Sequence, residues 1–248
     1  MFDQHPHQQH KSVKIFSVFI LLLLGAALAL AAELPYGGWI QIPLLSILWW
    51  RFDSYPSPSV KKQFALGLTF GIGYFVVGLW WLYISLHDVG GMNAPLACMG
   101  VFLLSAYVAV YFSIATLAIP LFKKNRLTGL FLAASWVIAE FLRGYIFTGF
   151  PWMGFAETQF TGPFALIAPF FGGLTCTFLV VWASWELYQT RKHPTSSVLL
   201  MVAAISLTQF AGLFTFTKPI GELISVRLIQ GNFEQSLKFN PQAIGQQI

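Results

Sequence analysis

Long apolar runs alternate along the chain with short breaks that are polar, basic or rich in glycine and proline. A polar stretch, Met1 to Lys14, precedes the first run, Ile15 to Ala32, which carries no charge. Six more follow: Trp39 to Trp50, Phe64 to Leu86, Ala94 to Phe122, Leu127 to Leu142, Phe164 to Tyr188 and Val198 to Phe216. Each is read as a helix crossing a bilayer core, for which about 20 apolar residues suffice. The breaks have their own chemistry. Leu34 to Gly38 turns on proline and glycine, Arg51 to Gln63 carries Pro56 and Pro58, and His87 to Asn93 carries Gly90 and Gly91. Lys123 to Arg126 and Thr190 to Ser197 are basic. Gly67 and Gly71, four apart, predict a close helix approach within the third run. Ala29-Leu30-Ala31 looks like a small-x-small cleavage site, but the run before it is longer than a signal core and further spans follow, which favours an uncleaved helix.

Beyond Phe216 the period changes. Ile224, Val226 and Leu228 alternate with Ser225, Arg227 and Ile229 ahead of Gln230-Gly231-Asn232, which predicts a β-strand of about six residues leading into a loop. Isolated strands and hairpins are marginal in water, so the rest of a sheet is expected further on. The sequence therefore predicts an all-α polytopic membrane bundle of about seven spans over 15–217. A tail over 1–14 precedes it, and the first strand of a cut-off extramembrane domain over 218–248 follows it. The chain is expected to be the N-terminal part of a longer protein.

Composition fixes the solvent. Hydrophobic residues make up 56% and charged residues 9%, with a mean hydropathy of +0.68. Soluble domains carry about a quarter charged residues, so this class is excluded. The net charge of +5 follows membrane topology and is no nucleic-acid footprint. Ten of the fourteen lysines and arginines fall on the side of the N-terminus: Lys11, Lys14, Arg51, Lys61, Lys62, Lys123, Lys124, Arg126, Arg191 and Lys192. Arg143, Lys218, Arg227 and Lys238 fall opposite, together with most of the acidic residues. This predicts a cytoplasmic N-terminus and an outward C-terminal side. Cys98 and Cys176 lie inside apolar runs and read as small buried hydrophobes. His5, His7 and His10 are irregularly spaced on the tail and suggest no metal site, and no cofactor is implied.

The densest chemistry lies at Glu140 to Trp152. Glu140 and Arg143, three apart at a helix end, share one face and read as a structural ion pair that orients the turn behind them. Gly144, Gly149 and Pro151 break the helix among Tyr145, Phe147, Phe150 and Trp152, and such rings prefer the membrane interface. Gly149 and Trp152 are the candidates for lining a lipid entrance, with interfacial anchoring as the competing role.

Glu-Phe-Leu-Arg-Gly-x-x-x-Thr-Gly-Phe-Pro-Trp at 140–152 resembles the signature loop of bacterial apolipoprotein N-acyltransferases. Three other blocks are similar to that family in the same order. They are Gly78-x-x-Trp81-x-Tyr83-x-Ser85 with Gly90-Gly91-Met92, then Gln159 with Gly162-Pro163 and Ala168-Pro169 to Gly172, then Val226 to Lys238. The last looks like the first strand and loop of the family's nitrilase-like domain. The resemblance implies a multi-pass enzyme of the bacterial inner membrane with its C-terminal side periplasmic. Such an enzyme moves an acyl chain from a phospholipid donor to the N-terminal diacylglyceryl-cysteine of an apolipoprotein acceptor, through a cysteine thioester assisted by glutamate and lysine.

The family's triad would lie beyond Ile248, so no catalytic residue is carried over, and residues 1–248 alone are expected to show no turnover with phospholipid and a diacylated lipopeptide. Phe239 stands where the family has tryptophan among its substrate-binding positions, and Ala156-Glu157-Thr158 replaces a common Gly-Tyr-Ser. A non-catalytic lipid-binding scaffold or a transporter-like bundle is the alternative reading. Transport predicts mid-span ionisable residues or a repeated pair of broken helices, and neither is visible in the sequence.

Overall fold

Ten helical segments follow the punctuation of the sequence in a computed structural model that describes residues 6–55, 59–122, 127–215, 217, 220–222 and 224–230. They are α1 (Pro6–Ala32), α2 (Gly37–Asp53), α3 (Val60–Gly78), α4 (Trp81–Ile84), α5 (Ala94–Thr116), α6 (Ala118–Phe122), α7 (Thr128–Arg143), α8 (Ala168–Phe171), α9 (Gly173–Gln189) and α10 (Pro194–Ala211). A π-helical turn, Ser85–Val89, continues α4. Ser59 caps α3 by accepting from the Lys62 amide, and prolines open α5, α8 and α10 in the first turn, where a missing N–H costs nothing.

The glycines of α3 set the packing. A Cβ on Gly71 would stand 2.7 Å from the Ala109 Cβ of α5, and one on Gly67 would meet Ser113 and Thr116 of the same helix. On the other flank Gly73 lies against the Leu22 backbone of α1, while Gly25 of α1 lies against Phe70 and Tyr74. The 67/71 spacing thus makes the close approach it predicts, and α3 sits between two helices at backbone distance. Around it the interior is aromatic. Trp136 of α7 meets Phe112 of α5 at 4.5 Å and Trp49 of α2 at 5.8 Å between ring centroids, and the Trp49 indole donates to Ser184 Oγ of α9 at 2.7 Å. A second link holds the far end of α2, where Asp53 accepts from the Tyr188 hydroxyl at 2.6 Å and faces Arg191 at 3.4 Å.

Two expectations are corrected. Among the described residues, only Ala94–Phe122 and Pro194–Ala211 are helices long and apolar enough to cross a membrane. Val60–Gly78 with Trp81–Val89, bent by 51°, makes at most a third, not seven. The physical reason is that an apolar run is not an unbroken helix. α7 and α9 have 16 and 17 residues, α2 has 17 with Pro43 inside, and the run from Phe164 is interrupted by Pro169 and Gly172. No β-strand occurs among the described residues either. Residues 224–230 have no regular secondary structure and their side chains are exposed, so among the described residues the alternation lacks the partner that would make it a strand. The N-terminal stretch read as a tail is helical from Pro6, and Gly231 to Ile248, including Phe239, lie outside the described residues.

Candidate functional site

Between α7 and α9 the chain runs for 29 residues with only short helical turns, and it folds back onto one end of the bundle. Gly144 stops α7, and Phe147, Thr148 and Gly149 then take φ of 52°, 70° and 82° in succession. A Cβ on Gly149 would run into the Gly144 carbonyl oxygen, so the bare face of Gly149 is packed against the chain's own backbone. Its role is to close the turn. Gly149→Ala is therefore expected to lower the thermal unfolding midpoint of the purified protein, with a cost of about 1–3 kcal/mol from strain at a left-handed position. An unchanged midpoint would rule this role out.

Arg143 is fully buried beneath that turn, with 0% of its surface exposed. Its guanidinium donates to the Trp152 carbonyl through Nη1 and to the Pro151 carbonyl at 3.4 Å through Nη2, and its Cζ lies 5.4 Å from the Phe75 ring centre. The Arg143 carbonyl accepts from the Phe150 amide at 2.8 Å. Glu140 Oε1 accepts from Thr177 Oγ1 of α9 at 3.3 Å and sits where a side chain on Gly154 would go, 2.5 Å from its ideal Cβ. The hydrogen bonds of Glu140 and Arg143 thus go to the loop and to α9. The two side chains brace the loop from beneath, each at its own point.

Met153, at φ 66°, is held from both sides: its amide donates to Glu157 Oε2 at 3.2 Å, and its carbonyl accepts from the Tyr74 hydroxyl at 3.2 Å. Phe155, with 0% exposure, then plugs the bundle, stacked on Trp136 at 5.1 Å and edge-on to Phe112 at 5.5 Å and Tyr74 at 5.9 Å. Gln159 fastens the second half. Its Nε2 donates to the Gly38 carbonyl at 3.1 Å and to Gln41 Oε1 at 3.0 Å, and its Oε1 accepts from the Phe164 amide at 3.4 Å. Thr158 adds a bond to Gln41 at 2.6 Å, and Thr208 of α10 donates to the Pro163 carbonyl at 3.0 Å.

The underside is fixed, and the outer side is aromatic and open. Trp152 is 53% exposed and packs on Phe150 at 5.2 Å, while Tyr145, Phe147, Phe160 and Phe171 also face outward. Trp152 therefore combines a backbone pinned by Arg143 with a free ring, whereas Gly149 contributes only the turn. The sequence did not single out Phe155, Tyr74 or the Gln41 partner of Gln159; the one local signal was a glutamine inside the apolar run 39–50. Cys176 is buried and donates to the Phe164 carbonyl at 3.3 Å, but Cys98 is exposed on the outside of α5, contrary to its reading as a buried residue.

An apolar helical bundle with membrane-spanning helices, closed at one end by a braced loop with an aromatic outer face, defines an integral membrane protein whose distinctive surface is that loop. Residues 18–186 match the family model of the apolipoprotein N-acyltransferase N-terminal domain, so the chain belongs to the apolipoprotein N-acyltransferase family. It is 34% identical to the apolipoprotein N-acyltransferase of Haemophilus influenzae over 245 residues, covering 93% of this chain and 45% of the relative. It is 31% identical to that of Pasteurella multocida, covering 94% and 46%, and 29% identical to that of Shewanella oneidensis, covering 96% and 46%. The chain thus spans a little under half the length of these curated relatives.

Proposed function

We propose that this chain forms the membrane-embedded part of an apolipoprotein N-acyltransferase and that its 144–172 loop receives acyl-bearing substrates at the membrane surface. The donor is a phospholipid, and the acceptor is the N-terminal diacylglyceryl-cysteine of an apolipoprotein. The carrying observation is the pinned loop with its exposed rings, which falls inside the stretch matched by the family model. A rigid backbone under exposed aromatic side chains offers apolar contact with little ordering cost, as amphipathic ligands at an interface require.

The protein lies in the bacterial inner membrane with its N-terminus cytoplasmic and the loop on the periplasmic face. Supporting this orientation, α2 starts against the loop at Gly38 and carries Arg51 in its last turn, while α9 starts against it and ends just before Arg191 and Lys192, so these basic residues sit at the end away from the loop.

Binding tests the proposal without requiring turnover. Reconstituted in nanodiscs, the chain should be labelled within Tyr145–Trp152 by a diacylated lipopeptide carrying a photoactivatable group. Trp152→Ala should reduce that labelling about tenfold, the loss of about 1.4 kcal/mol expected for an exposed aromatic anchor. Helix content should not change, since the ring is half exposed. Labelling that ignores Trp152 would return the residue to an anchoring role.

A further inference from the structure

Trp136, Glu140 and Arg143 stand at positions i, i+4 and i+7 of α7, so they share one face of the helix. Each leaves one polar atom in the interior without a hydrogen-bond partner: Trp136 Nε1, Glu140 Oε2 and Arg143 Nε are all sealed from the surface. Taken in order along the helix, these atoms are a donor, an acceptor and a donor.

The polar groups around them are engaged elsewhere. Arg143 spends Nη1 and Nη2 on the Trp152 and Pro151 carbonyls, and Glu140 Oε1 accepts from Thr177 of α9. The Tyr74 hydroxyl of α3 donates to the Met153 carbonyl, and the Tyr111 hydroxyl of α5 is paired with Tyr107 at 2.9 Å. Both oxygens of Glu157 accept from the Met153 and Gly154 amides of the loop. Aromatic rings close the space, with Phe155 stacked on Trp136 and Phe75 beside the guanidinium.

Buried N–H groups and carboxyl oxygens are costly to leave unpaired, and native structures satisfy nearly all of them with protein or with ordered water. One water molecule supplies what this face lacks. It accepts from two N–H donors and donates to the carboxyl group, which makes the roughly three hydrogen bonds usual for a buried water.

We propose that a single internal water bridges Trp136, Glu140 and Arg143, accepting from Nε1 of the indole and Nε of the guanidinium and donating to Glu140 Oε2. The two charged residues are thereby joined through water. The guanidinium is fixed at its third nitrogen while the other two reach the loop. The site rests on the packing of α7 and is independent of acyl transfer.

The test is a water-selective NOE and ROE measurement on the whole chain in nanodiscs, perdeuterated and carrying ¹⁵N-labelled tryptophan. Trp136→Phe and Trp49→Phe assign the two indole resonances. Trp49 is the internal control: it is as fully buried and lies 5.8 Å from Trp136, but its indole donates directly to Ser184. The Trp136 indole proton should show a water cross-peak of opposite sign in the two spectra, the mark of a long-lived neighbour, and Trp49 should show none. Glu140→Gln keeps an acceptor and should keep the cross-peak, whereas Glu140→Leu should lose it. If Glu140→Leu displaces the Trp49 resonance, Glu140→Met replaces it with an unbranched chain of similar length. A visible Trp136 indole without a water cross-peak in the wild type, equal cross-peaks on both indoles, or a cross-peak that survives removal of the carboxyl group in a folded variant would each overturn the proposal.

Discussion

Replacing Arg143 by alanine is expected to release the 144–172 loop while the helices beneath it stay assembled. The guanidinium is buried, and it is the donor to the carbonyls of both Pro151 and Trp152. Alanine leaves these acceptors facing an apolar cavity and removes a positive charge one helical turn from the Glu140 carboxylate. Losing a charged donor costs about 1.5–3 kcal/mol for each buried hydrogen bond it made. Most of this should appear locally, because Arg143 ties the loop and the bundle retains its own aromatic and glycine-mediated packing. The measurement is hydrogen exchange by mass spectrometry in nanodiscs: amides from Phe150 to Glu157 should lose protection, while those in the middle of α3 and α5 keep it. Arg143→Lys retains the charge but not the planar fork, so it should fall between wild type and alanine. Unaltered exchange over 150–157 in the alanine variant would show that the loop does not depend on this residue. Since Trp152 is held through its carbonyl, lipopeptide labelling should fall along with protection.

The break after α7 was legible in the sequence because it rests on local chemistry: Gly144 ends the helix through its own backbone. The Gly67/Gly71 spacing was legible for the same reason, since four residues bring two small positions onto one helix face. The number of spans was not. Hydropathy reports solvent preference, and Phe164 to Phe171 is as apolar as a span although its backbone is broken into two short turns, Ala165–Ile167 and Ala168–Phe171, before Gly172. The 224–229 alternation misled in the opposite way, because period-two patterning becomes a strand only where a partner pairs with it. At the site, breakers and charges marked Glu140 to Trp152, yet the contacts that hold the loop join residues far apart in sequence. Gln159 meets Gln41 across 118 positions and Tyr74 meets Met153 across 79, and no local pattern encodes those meetings.

Phe155→Ala should produce the largest packing effect in the molecule. Its ring contacts rings from three different helices, Trp136 of α7, Phe112 of α5 and Tyr74 of α3, so the loop is joined to the bundle centre through one side chain. Truncating a buried aromatic costs about 3–5 kcal/mol, with part of the cost set by the cavity that remains. In a membrane protein that loss is mainly dispersion contact, because lipid is as apolar as the core, but the cavity lining still forfeits its partners. The paired control is Phe160→Ala, which removes the same ring from a site that is 91% exposed and should leave stability nearly unchanged. Thermal unfolding of both variants in the same nanodiscs decides the matter. A clear drop in midpoint is expected for Phe155→Ala alone, with Phe155→Leu recovering part of it by refilling volume. Equal midpoints for the two alanine variants would mean that Phe155 does not anchor the loop. If it is the anchor, Phe155→Ala and Trp136→Ala together should cost less than the sum of the two, because each already removes the shared stacking contact.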